Sequence, residues 1–328
     1  MSTLSTLTRL SGADLLSIQD LSPSEVEAIF ELAGQLKAHP AEFCQALAAK
    51  QLVLLFEKPS LRTRLTFEVG IRSLGGGALF VDQTHARIDA RESLGDIARN
   101  LERWVDGIVL RTFAHDTVVE MAAHASIPVI NGLSDHEHPC QALADYFTLQ
   151  EKFSDLRDVK LAYVGDGNNV AHSLLLTAAR LGSRITVATP PGYEPDEEIV
   201  CAARETAAHT GARIEVTSEC QAAVTGADAV YTDVWASMGQ ETEAERRQRV
   251  FAPYQVNPAL LARAAPQVLF MHCLPAHRGE EVTDAVIDSP QSIVYDQAEN
   301  RLHVQKAILL MLLGNGWHRP ARSWIVRG

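Results

Sequence analysis

Cysteine is sparse in this 328-residue chain: Cys44, Cys140, Cys201, Cys220 and Cys273 are odd in number, widely spaced and without a C-x-x-C pair. That usage excludes a disulfide framework and is typical of a reducing compartment. Long apolar runs are also missing. The longest, AILLMLL at 307–313, falls far short of the roughly 20 residues that cross a bilayer. MSTLSTLTRL lacks the apolar stretch of a secretory signal. Positive charge is in deficit, with a formal net charge of -12 and a pI near 5.5, so no extended cationic face is available for nucleic acid or an anionic membrane. There is no H-E-x-x-H, no EF-hand loop, no G-x-S-x-G and no Walker A sequence, which argues against metal, hydrolase-elbow and P-loop chemistry. No internal repeat or low-complexity segment occurs. These absences predict a soluble, cytoplasmic protein with no metal site and no nucleic-acid or membrane partner.

Core-forming residues are plentiful: 46% of the chain is hydrophobic and 21% charged, and the length suits two domains. Ser22, Pro23 and Glu25 form a capping box with proline at the first helical position, which predicts a helix over SPSEVEAIFELAGQLK. The β-rich runs QLVLLF, GALFVD, DGIVLRTF and IPVINGL then alternate with helix-length segments. After the charged segment EKFSDLRDVK the alternation restarts, with KLAYVGD, RITVATP, RIEVTS, DAVYTDVW, VLFMHCLP and SIVYDQ as strands. The expected fold is α/β: two domains, 1–150 and 151–328, each a mostly parallel sheet flanked by helices. A long apolar C-terminal helix from about residue 299 to 313 is expected to pack across both.

Ligands of open α/β sheets bind where strands end, and polar clusters follow six of these strands: EKPSLRTR, RTF, SDHEHPCQ, GDGNN, DVWASMGQE and HCLPAHRGEE. One composite site between the domains is therefore expected. Ser60 can cap a helix whose free N–H groups, with Arg62, Thr63 and Arg64, make an anion site suited to phosphate. The competing reading places those arginines in surface ion pairs. Arg111 is open to the same two readings. His138 and Gln141 lie three apart at a helix start, so they face one cleft or else serve only their own helix turn. GDGNN lacks the third glycine of a dinucleotide loop, Val170 standing in its place, and Asn168 and Asn169 suit a small carboxylate better. Asp233 is either a partner for a substrate ammonium or a cap. Cys273 is either a small buried hydrophobe or a catalytic thiol.

Taken in order and spacing, FEKPSLRTR, HPCQALADYFTLQE, GDGNNVAHSLL, DVWASMGQE, HCLPAHRGEEVTD and DQAENRLHVQKA closely resemble the ornithine carbamoyltransferases of the aspartate/ornithine carbamoyltransferase family, over about residues 13 to 313. The resemblance implies transfer of a carbamoyl group from carbamoyl phosphate to the δ-amine of L-ornithine, giving L-citrulline and phosphate. It also implies a homotrimer, or a dimer of trimers, without metal or organic cofactor. By position, Ser60, Leu61, Arg62 and Thr63 would cradle phosphate. Arg111, His138 and Thr63 would polarise the carbonyl oxygen, with Gln141 and the backbone at Cys273 and Leu274 on the amide, and Arg301 would add a cation. Asn168 and Asn169 would meet the ornithine carboxylate, and Asp233, Ser237 and Met238 its α-amino end. Cys273 and Asp233 would lie beside the attacking nitrogen.

Two residues depart from the family pattern. Leu61 replaces the first threonine of Ser-Thr-Arg-Thr-Arg, and Arg87 stands where many relatives carry a glutamine that reaches a neighbouring subunit's site. Arg87 is expected to touch phosphate across the subunit interface. The tail GNGWHRPARSWIVRG lies outside the resemblance, and its Trp317 and Trp324 are expected to dock on the body or on a neighbour. Two rival readings remain at this point, a carbamoyltransferase with another amine acceptor such as putrescine or an acylated ornithine and a non-catalytic anion-binding protein of the same fold, while a third, a dinucleotide-dependent oxidoreductase, already fails on the glycine pattern.

Overall fold

The computed structural model describes residues 10, 14–83, 87–153, 155–236 and 243–314. The first helix, α1 (Pro23–Ala38), begins at the capping box: the Glu25 N–H donates to Ser22 Oγ, and the Ser22 N–H donates back to the Glu25 carboxylate at 2.7 Å. Strands β1 (Gln51–Phe56), β2 (Gly77–Asp82), β3 (Gly107–Arg111) and β4 (Val129–Leu133) form a parallel sheet in the order β2-β1-β3-β4. Between them run α2 (Leu61–Ser73), α3 (Leu94–Leu101) and α4 (His115–His124). Helix α5 (Pro139–Lys152) leads to the second sheet.

That sheet contains β5 (Lys160–Val164), β6 (Arg184–Ala188), β7 (Arg213–Thr217), β8 (Ala229–Thr232) and β9 (Leu269–His272), all parallel, in the order β7-β6-β5-β8-β9. Its helices are α6 (Asn169–Leu181), α7 (Glu197–Thr210), α8 (Cys220–Val224), α9 (Ala244–Phe251), α10 (Pro258–Leu261) and α11 (Asp284–Ile287). Strands β1, β3, β5 and β8 are buried almost throughout, because helices cover both faces of a parallel sheet. Each sheet has one switch point where the chain reverses its direction of growth: β1/β3 in the first and β5/β8 in the second. The expected two-sheet α/β architecture is therefore present.

The last helix, α12 (Val294–Leu313), packs on α1, α2 and α5 and also reaches β9. It starts five residues earlier than the sequence suggests, and SIVYDQ is not a strand. Only Ser292 bridges the sheet, at Phe270. The buried residues Val294, Gln297, Arg301 and Val304 recur every three or four positions, and that helical period overrides the β-branched composition of the segment. A continuous buried cluster links Leu54 and Phe56 through Tyr146 and Ile308 to Leu161 and Tyr163. Among the described residues, no helix is long and apolar enough to cross a membrane.

Candidate active site

The two switch points face one cleft of about 480 Å³. Ser60 caps α2 as expected, its Oγ accepting the Thr63 N–H at 3.2 Å. The free N–H groups and positive end of that helix therefore open at the cleft. Leu61 heads the helix, is 70% exposed and lies on the cleft lining. Arg62, Thr63, Arg111, His138, Gln141 and Arg301 line the same space.

The ion-pair reading fails for Arg62, Arg111 and Arg301: among the described residues none has a carboxylate within ion-pair distance. It holds for Arg64, which pairs with Glu68 at 2.9 Å, lies over the Phe80 ring at 3.8 Å and is absent from the cleft lining. The Nε atoms of Arg111 and Arg301 are buried with no protein partner. Arg301 Nη2 donates to Thr63 Oγ1 at 2.8 Å, which leaves the Thr63 hydroxyl proton for something in the cleft. Burial lowers the pKa of all three guanidinium groups, and their mutual repulsion adds to the effect at Arg111 and Arg301. Burial and the same three cations hold His138 well below the usual imidazole range, so its ring is neutral at pH 7. A chain of net charge -12 thus collects unpaired positive charge at one place.

Across the cleft, Cys273 Sγ donates to Asp233 Oδ1 at 2.9 Å. The Val234 N–H donates to the same oxygen at 2.8 Å, and Asn168 Nδ2 donates to Oδ2 at 2.9 Å. Burial and the Asp233 carboxylate push the Cys273 thiol well up, so it stays protonated near neutrality. Cys273 is only partly buried, while the protein around its sulfur still desolvates it. Behind it the Leu274 N–H donates to His272 Nδ1 at 2.9 Å, which leaves the ring proton on Nε2, 3.1 Å from Glu281 Oε1. The Asp233 loop is held from outside: Arg247 Nη1 donates to the Trp235 carbonyl at 2.8 Å and pairs with Asp166 at 2.9 Å.

Not every expected residue is here. Asn168 does not line the cleft; its side chain caps α6, Oδ1 accepting the Val170 and Ala171 N–H groups, and its Nδ2 donates to Asp233. Asn169 lines the cleft, with Nδ2 donating to the Ser134 carbonyl at 2.5 Å. Arg87 lies outside this chain's cleft, exposed and paired with Asp89 at 3.0 Å. Ser237, Met238 and the tail with Trp317 and Trp324 are outside the described residues. Gly167 of GDGNN has a packing reason, since a Cβ there would lie 2.2 Å from the Pro195 nitrogen, whereas Gly165 is set apart by its φ of 151°.

Three contributors escaped the sequence reading. Lys58, inside the quoted EKPSLRTR, lines the cleft with Nζ 4.6 Å from the Phe113 ring centre. Glu57 is buried beneath it and accepts the N–H groups of Ile88 and Phe113, both at 3.0 Å, which pins the loops after β2 and β3. Asp145, one turn beyond Gln141 on α5, is completely buried, and burial pushes its carboxyl up to about 7 against the pull of three hydrogen bonds and Arg301. Its i, i+4 spacing from Gln141 was the one available signal.

Residues 13–151 match the family model for the aspartate/ornithine carbamoyltransferase carbamoyl-P binding domain, and residues 157–312 match that for the Asp/Orn binding domain. Ornithine carbamoyltransferase from Symbiobacterium thermophilum is 54% identical over 94% of this chain and 100% of its own length. The corresponding protein of Pyrococcus abyssi is 52% identical over 93% and 97%. Among solved structures, ornithine carbamoyltransferase from Pyrococcus furiosus superposes with a TM-score of 0.91 at 51% identity, covering 94% of this chain and 99% of that one.

Proposed function

Because the chain belongs to the aspartate/ornithine carbamoyltransferase family, we propose that it transfers the carbamoyl group of carbamoyl phosphate to the δ-amine of L-ornithine, giving L-citrulline and phosphate in the cytoplasm. The observation that carries this reading is one cleft holding three unpaired arginines on one side and the Cys273–Asp233 pair on the other. The segment 1–150 would supply the phosphate half and 151–328 the amine half, and the two separate sheets support that division.

The phosphate sits over the N-terminus of α2, where backbone N–H groups, Arg62 and Lys58 meet its oxygens. Arg111, neutral His138 and the Thr63 hydroxyl donate to the carbonyl oxygen, where negative charge develops as the amine attacks. Gln141 takes the amide end. The attacking amine is the harder partner. With a lysine-like pKa of ~10.4, only of the order of one molecule in 10³ is neutral at pH 7, equivalent to roughly 4.6 kcal/mol. Asp233, already fixed by three donors, accepts a hydrogen bond from the ammonium and orients the nitrogen for attack, with the leaving phosphate as the terminal proton acceptor. Because Cys273 is protonated, it positions Asp233 and the nitrogen and does not attack.

The decisive assay offers L-ornithine, N-acetyl-L-ornithine, putrescine and L-aspartate in parallel with carbamoyl phosphate at pH 8. Citrulline from ornithine alone is expected. Turnover of another amine would keep the phosphate half and overturn the acceptor assignment, while no turnover would leave an anion-binding protein.

The same reading includes a homotrimer, or a dimer of trimers, in which Arg87 reaches the phosphate site of a neighbouring copy. Its exposed position in one surface hollow with Val81 and Trp104, themselves open to solvent, supports this. An Arg87→Gln variant is expected to raise the KM for carbamoyl phosphate severalfold at unchanged ornithine KM. Unchanged values for both would remove Arg87 from the site.

A further inference from the structure

A carbamoyl group differs from an acetyl group of nearly the same shape by an N–H2 in place of a methyl, so a site that prefers it needs a hydrogen-bond acceptor at that end. Gln141 can be acceptor or donor, because its amide turns over without changing shape. What decides between the two lies behind it. Gln141 Nε2 donates to Asp145 Oδ1 at 2.8 Å, which leaves Oε1 without a protein partner on a residue that lines the cleft.

Asp145 Oδ1 also accepts Gln297 Nε2 at 2.7 Å, and Oδ2 accepts the Tyr231 hydroxyl at 3.0 Å. Gln297 cannot reverse, since its Oε1 takes the His272 N–H at 3.0 Å, next to Cys273. The three donors come from α5, α12 and β8, and among the described residues no cation pairs with this carboxylate. A fully buried carboxylate without an ion partner is costly, yet three separate elements aim donors at this one.

We propose that Asp145 is a positioning residue that locks the Gln141 amide with its oxygen toward the cleft, and so makes the site select a carbamoyl over an acyl phosphate. This rests on the reading of the cleft as a carbamoyl phosphate site. The feature that matters is an acceptor at the Oδ1 position, not the charge. Asparagine keeps that acceptor: its Nδ2 takes the Oδ2 position and the Tyr231 hydroxyl turns to accept from it. Leucine has similar bulk and no acceptor, so Gln141 is released.

The experiment compares the KM for carbamoyl phosphate with the inhibition constant of acetyl phosphate in the full-length chain, Asp145→Asn and Asp145→Leu. The preference for the carbamoyl compound is expected to fall about tenfold in Asp145→Leu, the scale of one lost hydrogen bond, with the acetyl phosphate constant and the ornithine KM within about twofold of the parent. Asp145→Asn is expected to keep the parental preference. A general packing defect would instead weaken both acyl phosphates together, and an undiminished preference in Asp145→Leu would overturn the proposal. If Asp145→Leu does not fold, Asp145→Leu with Tyr231→Phe removes one stranded donor and is read by the same ratio. An inactive parent would fault the functional reading itself, whereas an active parent with an insensitive Asp145→Leu faults only this inference.

Discussion

Asp233→Asn is expected to lower kcat for citrulline formation by about 10²–10⁴-fold, the range for losing a positioned acid–base group, while the Kd for carbamoyl phosphate stays within about threefold. The geometry explains why so small a change is severe. Both Asp233 oxygens are filled by donors: Cys273 and the Val234 N–H on Oδ1, and Asn168 on Oδ2. Whichever way the asparagine amide is turned, its N–H2 meets another donor, so either the Cys273–Val234 side or the Asn168 side must open. The acceptor for the incoming ammonium is lost in the same step. Steady-state kinetics at saturating ornithine, with direct binding of carbamoyl phosphate by calorimetry, separate the two effects. Near-parental turnover would remove Asp233 from the mechanism, and parallel loss of carbamoyl phosphate binding would make it structural.

Arg111→Met is expected to cut kcat/KM for carbamoyl phosphate by roughly 10²–10³-fold, as for removal of a preorganised donor to developing charge. A second effect is expected to run the other way. Arg111 is 6% exposed and stands beside Arg301 and Arg62 without a carboxylate partner, so the empty site is strained by like charge and by burial. Methionine conserves the apolar stem and removes the buried charge. The ligand-free variant should therefore melt at a higher temperature than the parent, a stability gained where function was lost. Inorganic phosphate should raise the parent's Tm by linkage and raise the variant's much less. Thermal melts with and without phosphate test this. An Arg111→Met protein that melts lower and still responds fully to phosphate would show that the cation serves packing and not the anion.

Much of this protein was legible in the residues themselves because it is local. Short β-rich runs bounded by turn residues located β1 to β9, the capping box located α1, and Ser60 before Leu61-Arg62-Thr63 located the cleft-facing end of α2. The failures are equally local in origin. SIVYDQ has strand composition, yet its burial repeats with a helical period, which composition does not show. Arg62 and Arg64 are two residues apart in one motif and have opposite fates, because on a helix that spacing puts them on different faces. One meets the cleft and the other Glu68.

What the sequence alone determined is therefore the set of elements, their alternation, the strand ends that carry chemistry and the residue types placed there. Tertiary structure alone decided which of those groups are free to act. Arg62, Arg111 and Arg301 are unpaired only because no carboxylate of the described fold comes within reach of them. Asn168 caps α6 and holds Asp233, and it serves the site without lining it. Gln141 presents an acceptor because Asp145, Gln297 and Tyr231, from three separate elements, converge behind it. The physical reason is the same in each case: the strength and direction of a charge or hydrogen bond inside a protein are set by distances between elements far apart in the chain and by the exclusion of water, and neither is written in local residue order.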